Sequence, residues 1–253
     1  MNYRLLILVQ VILLSACHTT KHTYYDDNRL RDQLPELPEK QLEQQLFLVG
    51  DAGGIDNKSE GTNTVFEAIK KDISESETNH SLVFLGDNLY NNGLSKSKDP
   101  DRGRQEKILD AHISLAKEVN GEVYFIPGNH DWNNNKRGGR KTIIRQEKYI
   151  KDEVNKKDKI KLYPKDACGD PKVVKVSKDL TYIFIDTQWW VHNWDEEDDI
   201  NKGCEIKSRS EFLDKMKDLL VENKSSRLMI FMHHPLLSNG CLLYTSPSPR
   251  DRG

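Results

Sequence analysis

Three short polar motifs each close a hydrophobic run: Gly50-Asp51-Ala52-Gly53-Gly54, Gly86-Asp87-Asn88-Leu89-Tyr90 and Gly128-Asn129-His130-Asp131. A fourth, Met232-His233-His234-Pro235, follows another such run. Carboxylate, amide, imidazole and phenol groups brought from several chain segments to one place are the donors that hard or borderline metal ions need. A carboxylate has enough lone pairs to bridge two cations, and two cations held close can clamp a phosphoryl group and activate water against it. Asp51 and Asp87 stand in the same place relative to the runs before them, so both can reach one crevice. Asn129 and His130 add a neutral oxygen donor and an imidazole. Two-metal hydrolysis of a phosphoester is the chemistry these residue types favour.

Such donors work only where the backbone fixes them. The runs from Leu46, Ser81, Glu122 and Arg227 read as buried strands ended by glycine or a polar motif. Apolar residues at helical spacing mark helices over 64–73, 104–119 and 208–222, with Ser208 or Ser210 as the cap of the last; a charged helix is expected near 142–153. Residues 173–176 and 181–185 flank a polar turn and suggest a hairpin. The order β-α-β-α-β, hairpin, α-β predicts a layered α/β sandwich of mixed sheets flanked by helices. In such folds active groups gather at the carboxyl ends of strands, where all four motifs fall.

With the motifs so placed, the chain resembles the calcineurin-like metallophosphoesterase superfamily. Its blocks run Asp-x-His or Asp-x-Gly, Gly-Asp-x, Gly-Asn-His-Asp/Glu, a histidine after a strand, and Gly-His-x-His. The resemblance implies that Asp51 binds the first metal, that Asp87 bridges both, and that Asn129 and His233 bind the second. It implies that His130 contacts substrate and stabilises or protonates the leaving oxygen, with Asp131 orienting His130. Gly53 stands where most members place a ligating histidine, while Tyr90 completes a motif similar to that of purple acid phosphatases, in which the tyrosine is a phenolate ligand. Phenolate is a hard anionic donor, so the resemblance implies iron(III) beside a divalent ion (iron, zinc or manganese) and an acid-phosphatase-like phosphomonoesterase using metal-bound hydroxide. Phosphodiesters and nucleotide pyrophosphates are alternative substrates on the same site, and a non-catalytic envelope docking module is the alternative of another class. By the pattern Gly-His-x-Pro, His233 is the ligand and His234 lines the entrance.

The remaining polar residues carry less. His80 and His112 read as structural, and Asp186 as support behind the metals. His192 lies in a stretch holding Trp189, Trp190 and Trp194, which is either a folded cap over the core or a wall of the substrate cleft.

Net charge is -2 over 253 residues, which provides no electrostatic basis for a nucleic-acid partner. Arg4 and the apolar stretch from Leu5 to Leu14 suit a secretory signal, and Leu14-Ser15-Ala16-Cys17 looks like a bacterial lipobox. Residues 1–17 are therefore expected to be a lipoprotein signal with Cys17 acylated, 18–45 a tether, and 46–240 the catalytic domain. The expected location is the cell envelope, anchored by lipid to the outer membrane. Export to an oxidising compartment favours a disulfide between Cys168 and Cys204. No histidine follows His234, and residues 241–253 show no strand or helix period. That segment reads as a foreign tail replacing the last block. The fold is accordingly expected to be incomplete at its C-terminus, and this chain inactive or nearly so, each metal lacking a histidine. The oligomeric state is open.

Overall fold

The computed structural model describes residues 44–54, 64–154 and 159–236. The expected signal with Cys17, most of the tether and the segment 241–253 lie outside the described residues. Among those described, no helix is long and apolar enough to cross a membrane.

In chain order the elements are β1 (Gln44–Val49), α1 (Thr64–Glu75), β2 (Asn79–Phe84), α2 (Arg102–Glu118), β3 (Val123–Phe125), α3 (Gly139–Glu153), β4 (Ile160–Leu162), β5 (Lys172–Lys175), β6 (Leu180–Phe184), α4 (Thr187–Val191), α5 (Arg209–Glu222) and β7 (Arg227–Phe231). β1 begins at Gln44 rather than Leu46, and the short β4 and α4 add to the elements read from sequence. Ser208 caps α5, its side chain accepting from Glu211 N, while Glu211 accepts in return from Lys207 N.

Strands β1-β2-β3-β4 form one sheet, parallel throughout. Strands β5-β6-β7 form a second, mixed sheet in which the expected β5-β6 hairpin is antiparallel and β7 runs parallel to β6. Alternation along each strand divides its side chains between two layers. Val83 and Tyr124 of the first sheet, with Ile126 and Tyr163 just past β3 and β4, meet Tyr182, Phe184 and Phe231 of the second in one apolar cluster. Ring centroids there lie 4.5 Å apart for Tyr124 and Phe184 and 5.0 Å for Phe184 and Phe231. The residues between them, Leu82, Phe84, Val123 and Phe125, turn outward to a larger cluster with Phe66 and Ile69 of α1, Ile113 of α2 and Ile143 of α3. The fold is thus an α/β sandwich of two sheets flanked by helices. Burying these faces supplies the main stabilisation, on the order of 25 cal/mol per Å² of apolar surface.

His80 and His112 are structural, as expected. His80 bonds the Asn120 and Thr78 backbones. His112 is buried against Phe66 and Phe84, with its Nδ1 on the Ile108 carbonyl. The tryptophan-rich stretch is a cap over the core. Trp189 is fully buried against Trp194 and Phe212, and His192 is buried between Asn135 Oδ1 and Glu197 Oε1. Cys168 and Cys204 form the expected disulfide. On β7 itself Met229 and Ile230 remain 36% exposed, and no strand pairs with its outer edge among the described residues.

Candidate metal centre

Because β1, β2 and β3 are parallel and in register, with Val49 opposite Phe84 and Phe84 opposite Phe125, their following loops emerge side by side. The chain turns sharply at each exit. Asp51 (φ 58°) and Asp87 (φ 52°) both adopt left-handed backbone, a conformation that costs of order 1–3 kcal/mol for a non-glycine residue and persists only where surroundings enforce it. Here the loops enforce it on one another: Asp51 N donates to Gly86 O at 3.1 Å, Gly53 N to Asp87 O at 2.9 Å, and Tyr90 N to Gly53 O at 3.2 Å.

This close contact explains the missing histidine. A Cβ on Gly53 would run into the backbone of Asp87, Asn88 and Leu89, so residue 53 has no room for a side chain. The donor arrives instead from the facing loop. Tyr90 places its hydroxyl 2.9 Å from Asp51 Oδ1 and 3.2 Å from Asp87 Oδ2, so the two carboxylates share its one proton. Burial, then the Asp51 hydrogen bond and the two carboxylate charges, push its pKa up.

The other oxygen of Asp87 faces a second set of donors. His233 Nε2 lies 3.5 Å from Asp87 Oδ1 and 3.1 Å from Asn129 Oδ1. Its Nδ1 is 2.9 Å from the Leu85 carbonyl, which can only accept, so Nδ1 carries a proton and Nε2 is the ring atom turned toward the two oxygens. Ligand atoms of Asp51, Asp87 and His233 all lie within 4.8 Å of one another. Oxygen and nitrogen atoms gathered so closely fit a cation, and the two oxygens of Asp87 have different neighbours, Tyr90 at Oδ2 and His233 at Oδ1. A second grouping, Cys168, Asp170 and Cys204, offers no such site because its sulfurs are bonded to each other.

His130 stands over Asp87. Its backbone N donates to Asp87 Oδ1 at 2.8 Å, and its ring meets Tyr90 edge-on with centroids 4.3 Å apart. The ring nitrogen Nδ1 is 2.6 Å from the Asn91 carbonyl, which therefore accepts its proton. This corrects the expected partner of His130, because the imidazole is anchored by Asn91 and not by Asp131. Asp131 lies buried behind the loops, its Oδ2 accepting from Asn88 N, Asn88 Nδ2 and Gly128 N. Burial and the Asp87 charge raise its pKa to about 6 against the pull of those N–H groups.

Asp186 touches no metal donor. It caps α4 by accepting from Trp189 N and takes the Trp132 indole N–H at 2.8 Å, with burial raising its pKa to about 7. His234 is held by Thr187, whose Oγ1 lies 2.8 Å from its Nδ1. Burial, followed by the neighbouring His233, lowers its pKa to about 4. Sequence reasoning missed the parts played by Asn88 and Asn91. Asn88 sits inside a motif already singled out, but Asn91 acts through its carbonyl, for which residue type carries no signal.

An α/β sandwich with carboxylate, phenol, amide and imidazole donors converging at its strand ends defines a metal-dependent hydrolase. The family model for calcineurin-like phosphoesterases matches residues 45–251, and the chain belongs to that family. The match takes in residues 241–251 of the segment read above as foreign. No curated protein matches the chain.

Proposed function

We propose that the protein is a phosphomonoesterase with a two-metal site, held at the cell envelope through acylated Cys17. The observation that carries this reading is Asp87, whose Oδ2 lies 3.2 Å from the Tyr90 hydroxyl, itself bonded to Asp51, while its Oδ1 lies 3.5 Å from His233 Nε2, itself 3.1 Å from Asn129 Oδ1. Asp51, Tyr90 and Asp87 would hold one ion, and Asp87, Asn129 and His233 the other. An anionic phenolate favours iron(III) in the first place, leaving a divalent ion for the second. Bound there, the pair would supply the nucleophile and draw electron density from phosphorus.

The chain's own residues do the rest. His130, with Nδ1 tied to Asn91, presents Nε2 to the leaving oxygen and hands it a proton. His234 and Thr187 line the approach.

The deciding measurement is metal uptake, since the donors named here are few for two ions and turnover is expected to be slow. The metal-free protein should bind zinc or manganese(II), and Asp87→Asn should abolish binding of the pair. Hydrolysis of a phosphomonoester should exceed that of a phosphodiester or a nucleotide pyrophosphate. Folded protein that takes up no metal would overturn the reading, and faster cleavage of a diester or pyrophosphate would overturn the substrate assignment. Anchoring is tested by fatty-acid labelling, which Cys17→Ser should remove.

A further inference from the structure

We propose that Asp131 is a positioning residue whose carboxylate locks the Asp87 loop to the Asn129–His130 loop, and so sets the spacing of the metal donors. The inference rests on the two-metal reading for its consequence and on hydrogen bonding for its geometry.

One oxygen of Asp131 gathers three N–H groups: Gly128 N at 2.9 Å, with Asn88 N and Asn88 Nδ2 both at 3.1 Å. Asn88 follows Asp87, and Gly128 precedes the amide donor. Asn88 Nδ2 also donates to Ile126 O at 2.9 Å, which ties the first loop to the end of β3. The clasp is buried, with Asp131 fully covered and Asn88 1% exposed. Water therefore cannot take over its bonds without opening the loops. At the same junction His130 N donates to Asp87 Oδ1, and a Cβ on Gly128 would collide with Asp87 and lie 2.8 Å from His233 Cε1. The two loops are thus packed backbone to backbone where the donors emerge, with one carboxylate oxygen joining them. The His130 ring has its own anchor in Asn91, so Asp131 acts on where Asp87 and Asn129 stand.

Its other oxygen, Oδ1, makes no hydrogen bond among the described residues. Asp131→Asn can therefore keep the working oxygen and place its NH2 where no bond is lost, whereas Asp131→Ala removes the clasp.

The test uses the full chain, comparing Asp131→Asn, Asp131→Ala and Asn88→Leu by manganese(II) titration, by electron paramagnetic resonance of the loaded protein and by amide exchange in the metal-free protein. Asp131→Asn should stay within about threefold of the parent affinity, while Asp131→Ala should bind about tenfold more weakly or worse and lose any signal from a coupled manganese pair. Exchange at the His130 amide, whose N–H goes to Asp87 Oδ1 and not to the Asp131 carboxylate, should quicken in Asp131→Ala and recover in Asp131→Asn. Unchanged affinity with the His130 amide still protected in Asp131→Ala overturns the proposal. If Asp131→Ala does not fold, Asn88→Leu keeps both backbone donors and is expected to move in the same direction; parent-like behaviour overturns the proposal. A parent chain that takes up no manganese overturns the metal reading instead, and the His130 amide then decides the clasp alone.

Discussion

Tyr90 and Asp51, separated by 39 positions in sequence, meet through a hydrogen bond of 2.9 Å from phenol to carboxylate. The contact exists because Gly53 lets the first loop lie flat on the second, so the missing side chain at one position and the phenol at another are two sides of one packing arrangement. If the phenol is a ligand, protein loaded with iron(III) should show a visible charge-transfer band, and Tyr90→Phe should bleach it. Iron bound to the parent without colour would remove Tyr90 from the ligand set.

Gly128 should tolerate no side chain. Its Cβ would meet the Asp87 carboxylate and the His233 ring at once, so Gly128→Ala should lower stability by about 1–3 kcal/mol and weaken metal uptake as well. Denaturant unfolding and metal titration on one preparation check both effects. Unchanged values in both would show that the loops can separate freely.

His112 should make stability depend on pH. Burial, against a smaller opposing effect of the Ile108 carbonyl, holds its pKa at about 4 in the folded chain, below the ordinary 6.5. The unfolded chain therefore binds more protons between these values, and stability falls as pH drops through that window. Relative to pH 7, the loss at pH 4.5 should be about 2–3 kcal/mol. Asp131 and Asp186, whose pKa values are raised by burial, act in the opposite direction, so only a difference between variants isolates the histidine. His112→Leu should flatten the profile by that amount in urea unfolding at the two pH values, and parallel profiles would contradict the assignment.

The disulfide joins residues 36 apart in sequence. Closing a loop of that length in the unfolded chain corresponds to about 3–4 kcal/mol in the chain-entropy treatment. Replacing both Cys168 and Cys204 by alanine should cost a comparable amount, read as a lower unfolding midpoint. A midpoint unmoved by the replacement would mean that packing alone holds the two segments together.

Much of the fold was legible because the buried strands announce themselves. The apolar runs ending at Gly50, Gly86 and Ile126 leave few other places for such residues, and each hands its polar motif to the same end of a parallel sheet. The helices were legible from period, with Phe66, Ile69 and Ile73 falling on one face. β4 was not, because Ile160–Leu162 is too short to show a period. Within the site, residue type pointed to Asp51, Asp87, Tyr90, Asn129 and His233. It failed for Asp131, which has the chemistry of a histidine partner and a different set of neighbours.

The sequence by itself determined the donor types, the strand ends that carry them and the family to which they belong, because those follow from local pattern. Tertiary structure alone decided which atoms face which. Asp87 turns one oxygen to Tyr90 and the other toward His233, Asn91 lends His130 a carbonyl, and Asp131 turns to Asn88 and Gly128. The physical reason is that hydrogen-bond partners are chosen by distance and burial once two sheets have closed on each other. Residues 85 and 233, separated by 148 positions, acquire a common fate only then.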